Sequence, residues 1–119
     1  KDGKIVKIES RMVFDGGAYT STSPAVLING ITHTQGPYQC DNAVVDGYAV
    51  RTNNPPCGAM RGFGVVQACF AHESQMDLVA QACGLSPVDV RLKNAMRTGD
   101  KLITGQIVES VAPVERCIR

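Results

Sequence analysis

The chain has 119 residues, 44% of them hydrophobic, enough for one compact unit with its own core and too few for two. Lys and Arg number 12 against 11 Asp and Glu, with no block of like charge, so nothing in the charge balance calls for a nucleic-acid or membrane-surface partner. No apolar run approaches the ~20 residues that span a bilayer, and no signal-like apolar stretch follows Lys1 to Lys4, which leads us to expect a soluble, cytoplasmic protein.

Asp2-Gly3, set between two lysines, has the composition of a two-residue hairpin turn of which only the following strand is present. Together with the lack of an initiator Met, this leads us to expect that residues 1–119 are one partial domain, a fragment of a longer protein. The strand alternates, with Val6, Ile8, Met12 and Phe14 on one face and Lys7, Glu9 and Arg11 on the other, and it ends at Gly16-Gly17. Ser23-Pro24 offers an N-cap and a first-turn proline to a short apolar helix through Ala25, Val26, Leu27 and Ile28, and Gly36-Pro37 closes that region. A second strand is expected from about Ala43 to Thr52, with Val44, Tyr48 and Val50 on one face and Gly47 marking a bulge or a close backbone approach. Asn53-Asn54-Pro55-Pro56 breaks it.

From Gly64 to Cys83 the period becomes helical, with Cys69, Met76, Ala80 and Cys83 on one stripe. Gly84 suits a left-handed stop with Leu85 folding back on the last turn, and Ser86-Pro87-Val88-Asp89 opens another helix with Val88, Leu92 and Ala95 inward. After Thr98-Gly99-Asp100 the pattern weakens, until Ser110 to Arg119 again reads as a helix start. These elements predict an α+β fold, a small, mainly antiparallel sheet with helices packed on one side.

The cysteines at positions 40, 57, 69, 83 and 117 are too far apart for a zinc-type or CxxC pair. Their odd number and apolar neighbours suit reduced thiols buried as small hydrophobes. His33 and His72 stand singly and are not expected to ligate a metal.

The segment that stands out is Gly58-Ala59-Met60-Arg61-Gly62-Phe63-Gly64, between the proline-broken strand and the long helix. Glycines on both sides of one aromatic permit a tight turn and a close approach to a ligand, with Phe63 held outward as a flat apolar surface. The N–H groups of the helix start, near Gly64 to Gln67, point into the same turn with the positive end of the helix dipole behind them, a setting that suits an anion or a metal-oxo group. A plain strand-to-helix connection uses the same glycines, so the chemistry of the turn leaves both readings open.

Met60-Arg61-Gly62-Phe63-Gly64 with Gln67, followed by Glu73, Met76-Asp77, Gly84-Leu85, Pro87, Val90-Arg91, Lys93-Asn94 and Gly99-Asp100, resembles the stretch around the RGFG turn of the xanthine dehydrogenase and aldehyde oxidase family. Gly3-Lys4, Gly17-Ala18-Tyr19, Gly36-Pro37-Tyr38 and Thr52-Asn53 fall in that family's order and spacing as well, so the resemblance covers nearly the whole chain.

The resemblance implies a piece of the molybdopterin-binding large subunit of a molybdenum hydroxylase, which oxidises a heterocycle or an aldehyde with oxygen from water. The cofactor is molybdenum-molybdopterin, in its simple or cytosine dinucleotide form, and 2Fe-2S clusters and FAD belong elsewhere in the parent enzyme. Arg61, Gly62, Phe63 and Gly64 are implied to bind the cofactor, with Phe63 also lying beside the substrate ring. Arg61 suits cofactor contact or local bracing equally, Gln67 suits backbone hydrogen bonding, and Glu73 reads as a satisfied buried carboxylate.

Asn29 stands where purine-oxidising relatives carry a substrate-binding arginine, which makes it a substrate-side residue and argues against a strict xanthine dehydrogenase. Met60 replaces a frequent phenylalanine, Val65-Val66 replace a usual Gly-Pro, and Gly62 stands where copper-dependent carbon monoxide dehydrogenases carry cysteine. The family's general-base glutamate lies near the far end of the large subunit, so no catalytic residue and no metal ligand is expected here, and the fragment is expected to be inactive alone. The alternative is a non-catalytic structural or assembly domain of the same fold, and a weaker one is an anion-binding module built on the helix start. An uncovered strand edge also offers a route to self-association of the fragment.

Overall fold

The computed structural model describes residues 2–119, and Lys1, the first residue of the expected turn, lies outside the described residues. The elements are β1 (Ile8–Gly17), α1 (Ser23–Thr32), β2 (Ala43–Arg51), α2 (Val65–Cys83), α3 (Pro87–Asn94) and α4 (Val114–Ile118). β1 and β2 form a two-stranded parallel sheet, in register from Ile8 opposite Ala43 to Gly17 opposite Arg51, with an irregularity between Asp15 and Gly17. The expected antiparallel pairing is therefore corrected. A parallel pair needs a crossover long enough to carry the chain back to the end where the first strand began, and α1 supplies it. Strand, capped helix, strand is the order of such a unit, whereas an antiparallel hairpin needs only a short loop.

Gly47 provides the close approach rather than a bulge. A Cβ there would come within 2.7 Å of Ile31 and 3.1 Å of Leu27, so α1 lies directly on the β2 backbone. Met12, Leu27 and Ala68 form the buried cluster beneath, with Phe14 and Ile31 against it. Val44, Tyr48 and Val50 do share a face, but it is the open one, with Val13 beside them and the Arg11 guanidinium 5.2 Å above the Tyr48 ring. Val6 is exposed rather than inward. The N-cap of α1 is Thr22, while Ser23 is buried inside the first turn.

Helix α2 joins two cores. Ala68 belongs to the sheet cluster, and Met76 and Ala80, two to three turns later, pack with Tyr38 and Val90 against Ile5 and Val79. The expected stripe is rotated, because Cys69 faces solvent and Ala68 takes the inward position. Only Cys40 is buried, so the reading of all five cysteines as core hydrophobes is corrected; Cys57, Cys69 and Cys117 are exposed and Cys83 is half-buried. Gly84, at φ 66°, ends the helix as expected, its N–H bonding the Gln81 carbonyl while Leu85 N–H bonds that of Ala80, a Schellman stop.

Ser86 caps α3, accepting the Asp89 N–H at 3.0 Å while its hydroxyl donates to the Asp89 carboxylate at 2.7 Å. Ala95 is buried as expected and Leu92 half-buried, but Val88 is exposed, a further correction, and the buried residues within α3 are Val90 and Asn94. The Asn94 side chain accepts from Ile5 N–H at 2.8 Å and donates to the carbonyls of Gly3 at 2.7 Å and Val90 at 2.8 Å, so one amide ties the chain start to α3. Its loss leaves buried main-chain groups unpaired at about 1–3 kcal/mol each. Asn94→Ala is expected to lower stability by at least about 2 kcal/mol, read as the fall of the urea midpoint; a change within about 0.5 kcal/mol would contradict this role.

Candidate functional site at the Gly58–Gly64 turn

The turn is held from its entry onward by groups distant in sequence. The Asp15 carboxylate accepts from Thr52 Oγ1 at 2.6 Å, Asn54 Nδ2 at 2.5 Å and Gly17 N–H at 2.8 Å. Those donors hold the Asp15 carboxyl below the usual carboxylate range and join the ends of both strands to the loop. Cys57 N–H then bonds the Gly16 carbonyl at 3.2 Å, and two hydroxyls at the start of α1 take the next groups. Ser23 Oγ donates to the Cys57 carbonyl at 3.0 Å, and Thr22 Oγ1 accepts the Ala59 N–H at 2.8 Å.

Gly62, Phe63 and Gly64 follow with φ of 88°, 49° and 94°, three successive left-handed residues. The glycines adopt this conformation freely, whereas an L side chain held there costs roughly 1–2 kcal/mol, so Phe63 needs other contacts to stay. Phe63 N–H bonds the Met60 carbonyl at 2.8 Å, Val65 N–H bonds that of Gly62 at 2.9 Å, and the Phe63 carbonyl accepts from Asn29 Nδ2 at 2.8 Å. Gly64 lies so close to α1 that a Cβ would come within 2.2 Å of the Val26 carbonyl oxygen.

Helix α2 starts at this point without a side-chain cap. Among the described residues no main-chain acceptor takes the N–H groups of Gly64, Val66 or Gln67, which are the donors expected at a helix start. Arg61 is exposed and makes no hydrogen bond or ion pair among the described residues, so local bracing does not occupy it. Met60 is 81% and Phe63 37% exposed, and the turn is a surface feature. Beside it opens a cleft of about 310 Å³ walled by Asp15, Ser23, Cys57, Gly58 and Gln67 over Phe14 and Val26. The turn itself carries, within a few residues of chain, those unpartnered main-chain donors at the positive end of the α2 dipole, the exposed Arg61 and the Phe63 ring.

Of the residues expected from the sequence, Arg61, Gly62, Phe63 and Gly64 stand together, and Asn29 joins them through the Phe63 carbonyl. Thr22, Ser23 and Asp15 escaped sequence reasoning as parts of the site, because their partners in the loop lie 34 to 39 residues away. Glu73 is a satisfied carboxylate, accepting from Tyr38 Oη at 2.6 Å and Arg91 Nε at 2.8 Å while Arg91 Nη1 reaches Asp77 at 2.7 Å. Burial pushes the Glu73 carboxyl up, but those hydrogen bonds and the Arg91 charge outweigh it and hold it below its ordinary value. Burial also lowers the neighbouring His72. Among the described residues no cluster of His, Cys, Asp or Glu could hold a metal ion, and no helix is long and apolar enough to cross a membrane.

A family model described as a molybdopterin cofactor-binding domain matches residues 1–95. The nicotinate dehydrogenase large molybdopterin subunit of Eubacterium barkeri is 47% identical over 110 residues, 92% of this chain and 26% of that protein. An aldehyde oxidoreductase of Megalodesulfovibrio gigas is 36% identical over 106 residues, 89% of this chain and 12% of that protein. Among solved structures, an aldehyde oxidoreductase from Desulfovibrio gigas superposes with a TM-score of 0.86 at 31% identity, covering 98% of this chain and 13% of its own. Quinoline 2-oxidoreductase from Pseudomonas putida 86 superposes at 0.81 and 31% identity, covering 89% and 14%. The chain thus spans between 12% and 26% of the length of these relatives.

Two outcomes follow from the geometry. Gly64→Ala must leave the left-handed region and displace the Val26 carbonyl, and is expected to cost more than about 1 kcal/mol in thermal unfolding; a neutral change would mean the turn is not seated on α1. His72 and Glu73 both bind a proton more weakly folded than unfolded, so their contribution is complete above pH 6.5 and is lost as pH falls, first below the ordinary histidine value of 6.5 and then below 4.5. The urea midpoint of Glu73→Gln should be lower at pH 7 and decline less steeply below pH 4.5 than wild type; parallel curves would remove Glu73 from the acid response.

Proposed function

Because the chain belongs to the molybdopterin cofactor-binding domain family, in the group of xanthine dehydrogenases and aldehyde oxidoreductases, we propose that it is a segment of the large subunit of a molybdenum hydroxylase, and that its Met60–Gly64 turn is its contribution to the cofactor and substrate site. The observation that carries the reading is the left-handed run Gly62-Phe63-Gly64, which sets an aromatic ring and main-chain donors together at the surface. The donor set suits an anionic pterin phosphate or an oxo ligand, and Asp15, which walls the adjoining cleft, is held in place by three donors. Bound there, molybdopterin supplies the redox-active molybdenum at which a substrate carbon is hydroxylated with oxygen from water.

This chain's own residues bind and orient. Gly62 and Gly64 let the main chain take a left-handed turn that packs against Val66 and α1 and carries residue 63. N–H donors fixed by the fold need not reorganise as charge develops, and Arg61 supplies a positive charge that local partners do not consume. Phe63 presents a flat face on which a ring can stack, which favours a heteroaromatic substrate over a small aldehyde; the 47% identity to a subunit of a nicotinate dehydrogenase supports that preference.

Residues 1–119 would work as one partial domain inside the larger subunit, without activity alone. A parallel sheet is ordinarily covered on both faces, and here Val13, Val44, Tyr48 and Val50 lie open on one of them. The radius of gyration of 15.7 Å exceeds the roughly 13.5 Å of a compact chain of this length, as suits a piece that packs against other parts. The partners would include the remainder of that subunit, with iron–sulfur and flavin domains or subunits as electron acceptors. Five thiols, none of them in a disulfide, suit a cytoplasmic location.

The test uses the full-length protein. It is expected to purify with molybdenum and pterin, and Phe63→Ala should retain the metal while kcat/KM for a bicyclic heteroaromatic falls about threefold to tenfold, the worth of ~0.5–1.5 kcal/mol of stacking. Protein that carries neither molybdenum nor pterin would favour the structural or assembly alternative, and unchanged kinetics in Phe63→Ala would remove the ring from the site.

A further inference from the structure

Helix α1 meets the turn along one face. Val26, Asn29 and Gly30 fall at i, i+3 and i+4 and so project from the same side of the helix. Val26 presents the carbonyl on which Gly64 rests, and Gly30, where a Cβ would come within 3.3 Å of the Gly64 oxygen, leaves room for the main chain to lie close. Asn29 reaches across this seat, and its Nδ2 donates to the Phe63 carbonyl at 2.8 Å.

Phe63 needs such a hold. Its φ of 49° is one of two positive values at described non-glycine residues, and its glycine neighbours are as content in other conformations as in the left-handed one. Neither neighbour therefore keeps residue 63 where it is. The ψ of a residue sets the direction of its carbonyl, so a donor mounted on a rigid helix selects one backbone conformation at Phe63 and with it the direction in which the ring leaves the chain.

We propose that Asn29 is a positioning residue that clasps the Phe63 carbonyl and so fixes the ring in the orientation it offers to a flat substrate. The role rests on the reading of Phe63 given above. It differs from the direct substrate contact implied for this position by the resemblance, since the amide nitrogen is spent on the turn. Asn29 acts on the substrate only through Phe63.

The full-length holoenzyme tests this in two independent readouts. In Asn29→Ala, hydrogen exchange of the segment 58–67 should rise roughly fivefold to tenfold, as expected for one lost hydrogen bond, with the molybdenum-to-protein ratio unchanged. Exchange equal to wild type overturns the clasp, whatever the kinetics. The second readout is a double-mutant cycle on kcat/KM for a bicyclic heteroaromatic, with a short aliphatic aldehyde as control. Asn29→Ala should lower the aromatic value about three- to fivefold in wild-type background, no more than Phe63→Ala does, and by less than about twofold in Phe63→Ala, with little effect on the aldehyde in either. Equal losses in both backgrounds mean that Asn29 touches the substrate itself and overturn the proposal. Should Phe63→Ala alone leave the aromatic kinetics unchanged, the reading of the ring falls, and the exchange result still decides whether Asn29 holds the turn.

Discussion

Helix α1 is gripped between two glycine backbones. Gly47 of β2 lies against Ile31 and Leu27 on one side, and Gly64 lies against the Val26 carbonyl on the other, each closer than any side chain at those positions would allow. The sheet, the crossover helix and the entrance to α2 are thereby brought within main-chain distance of one another. Burial adds to this through Met12, Leu27 and Ala68, but the glycines decide how near the layers come. Hydroxyls at the α1 start, the Asn29 amide midway along it and the parallel pairing of β1 with β2 all depend on that spacing.

Charge is distributed unevenly over this frame. The Asp15 carboxylate accepts from three donors and that of Glu73 from two, and Arg91 is divided between Glu73 and Asp77. Those groups are occupied with holding strand ends to the loop and α2 to α3. Arg61 and the N–H groups of Gly64, Val66 and Gln67 have no such internal partner among the described residues. An anionic group at the turn, as proposed, would find these donors and this cation uncommitted, in a chain whose overall charge is only +1.

Two small cores strung along one long helix also explain why so much apolar surface remains open. Met76, Ala80, Val90 and Tyr38 close one end and the sheet cluster the other, leaving Val13, Val44, Tyr48, Phe70 and Leu78 exposed between and around them. In a larger subunit of the kind proposed, such side chains would find surfaces to cover them.

What was legible in the sequence alone was whatever a few neighbouring residues settle among themselves. The Gly84-Leu85 stop, the Ser86–Asp89 cap, the strand end at Gly16-Gly17 and the glycine turn around Phe63 rest on local sterics and hydrogen bonds, and they stand where they were expected. The family pattern was legible too, because it is carried by residue identity and spacing. Tertiary structure decided the rest. Parallel pairing, the open face of β2, the inward turn of Ala68 in place of Cys69 and the exposure of Cys57 depend on which surface lies opposite, and periodicity shows only that a face exists. The bond from Asn29 to Phe63 spans 34 residues of chain, and no local rule relates the two until packing has brought α1 and the turn together.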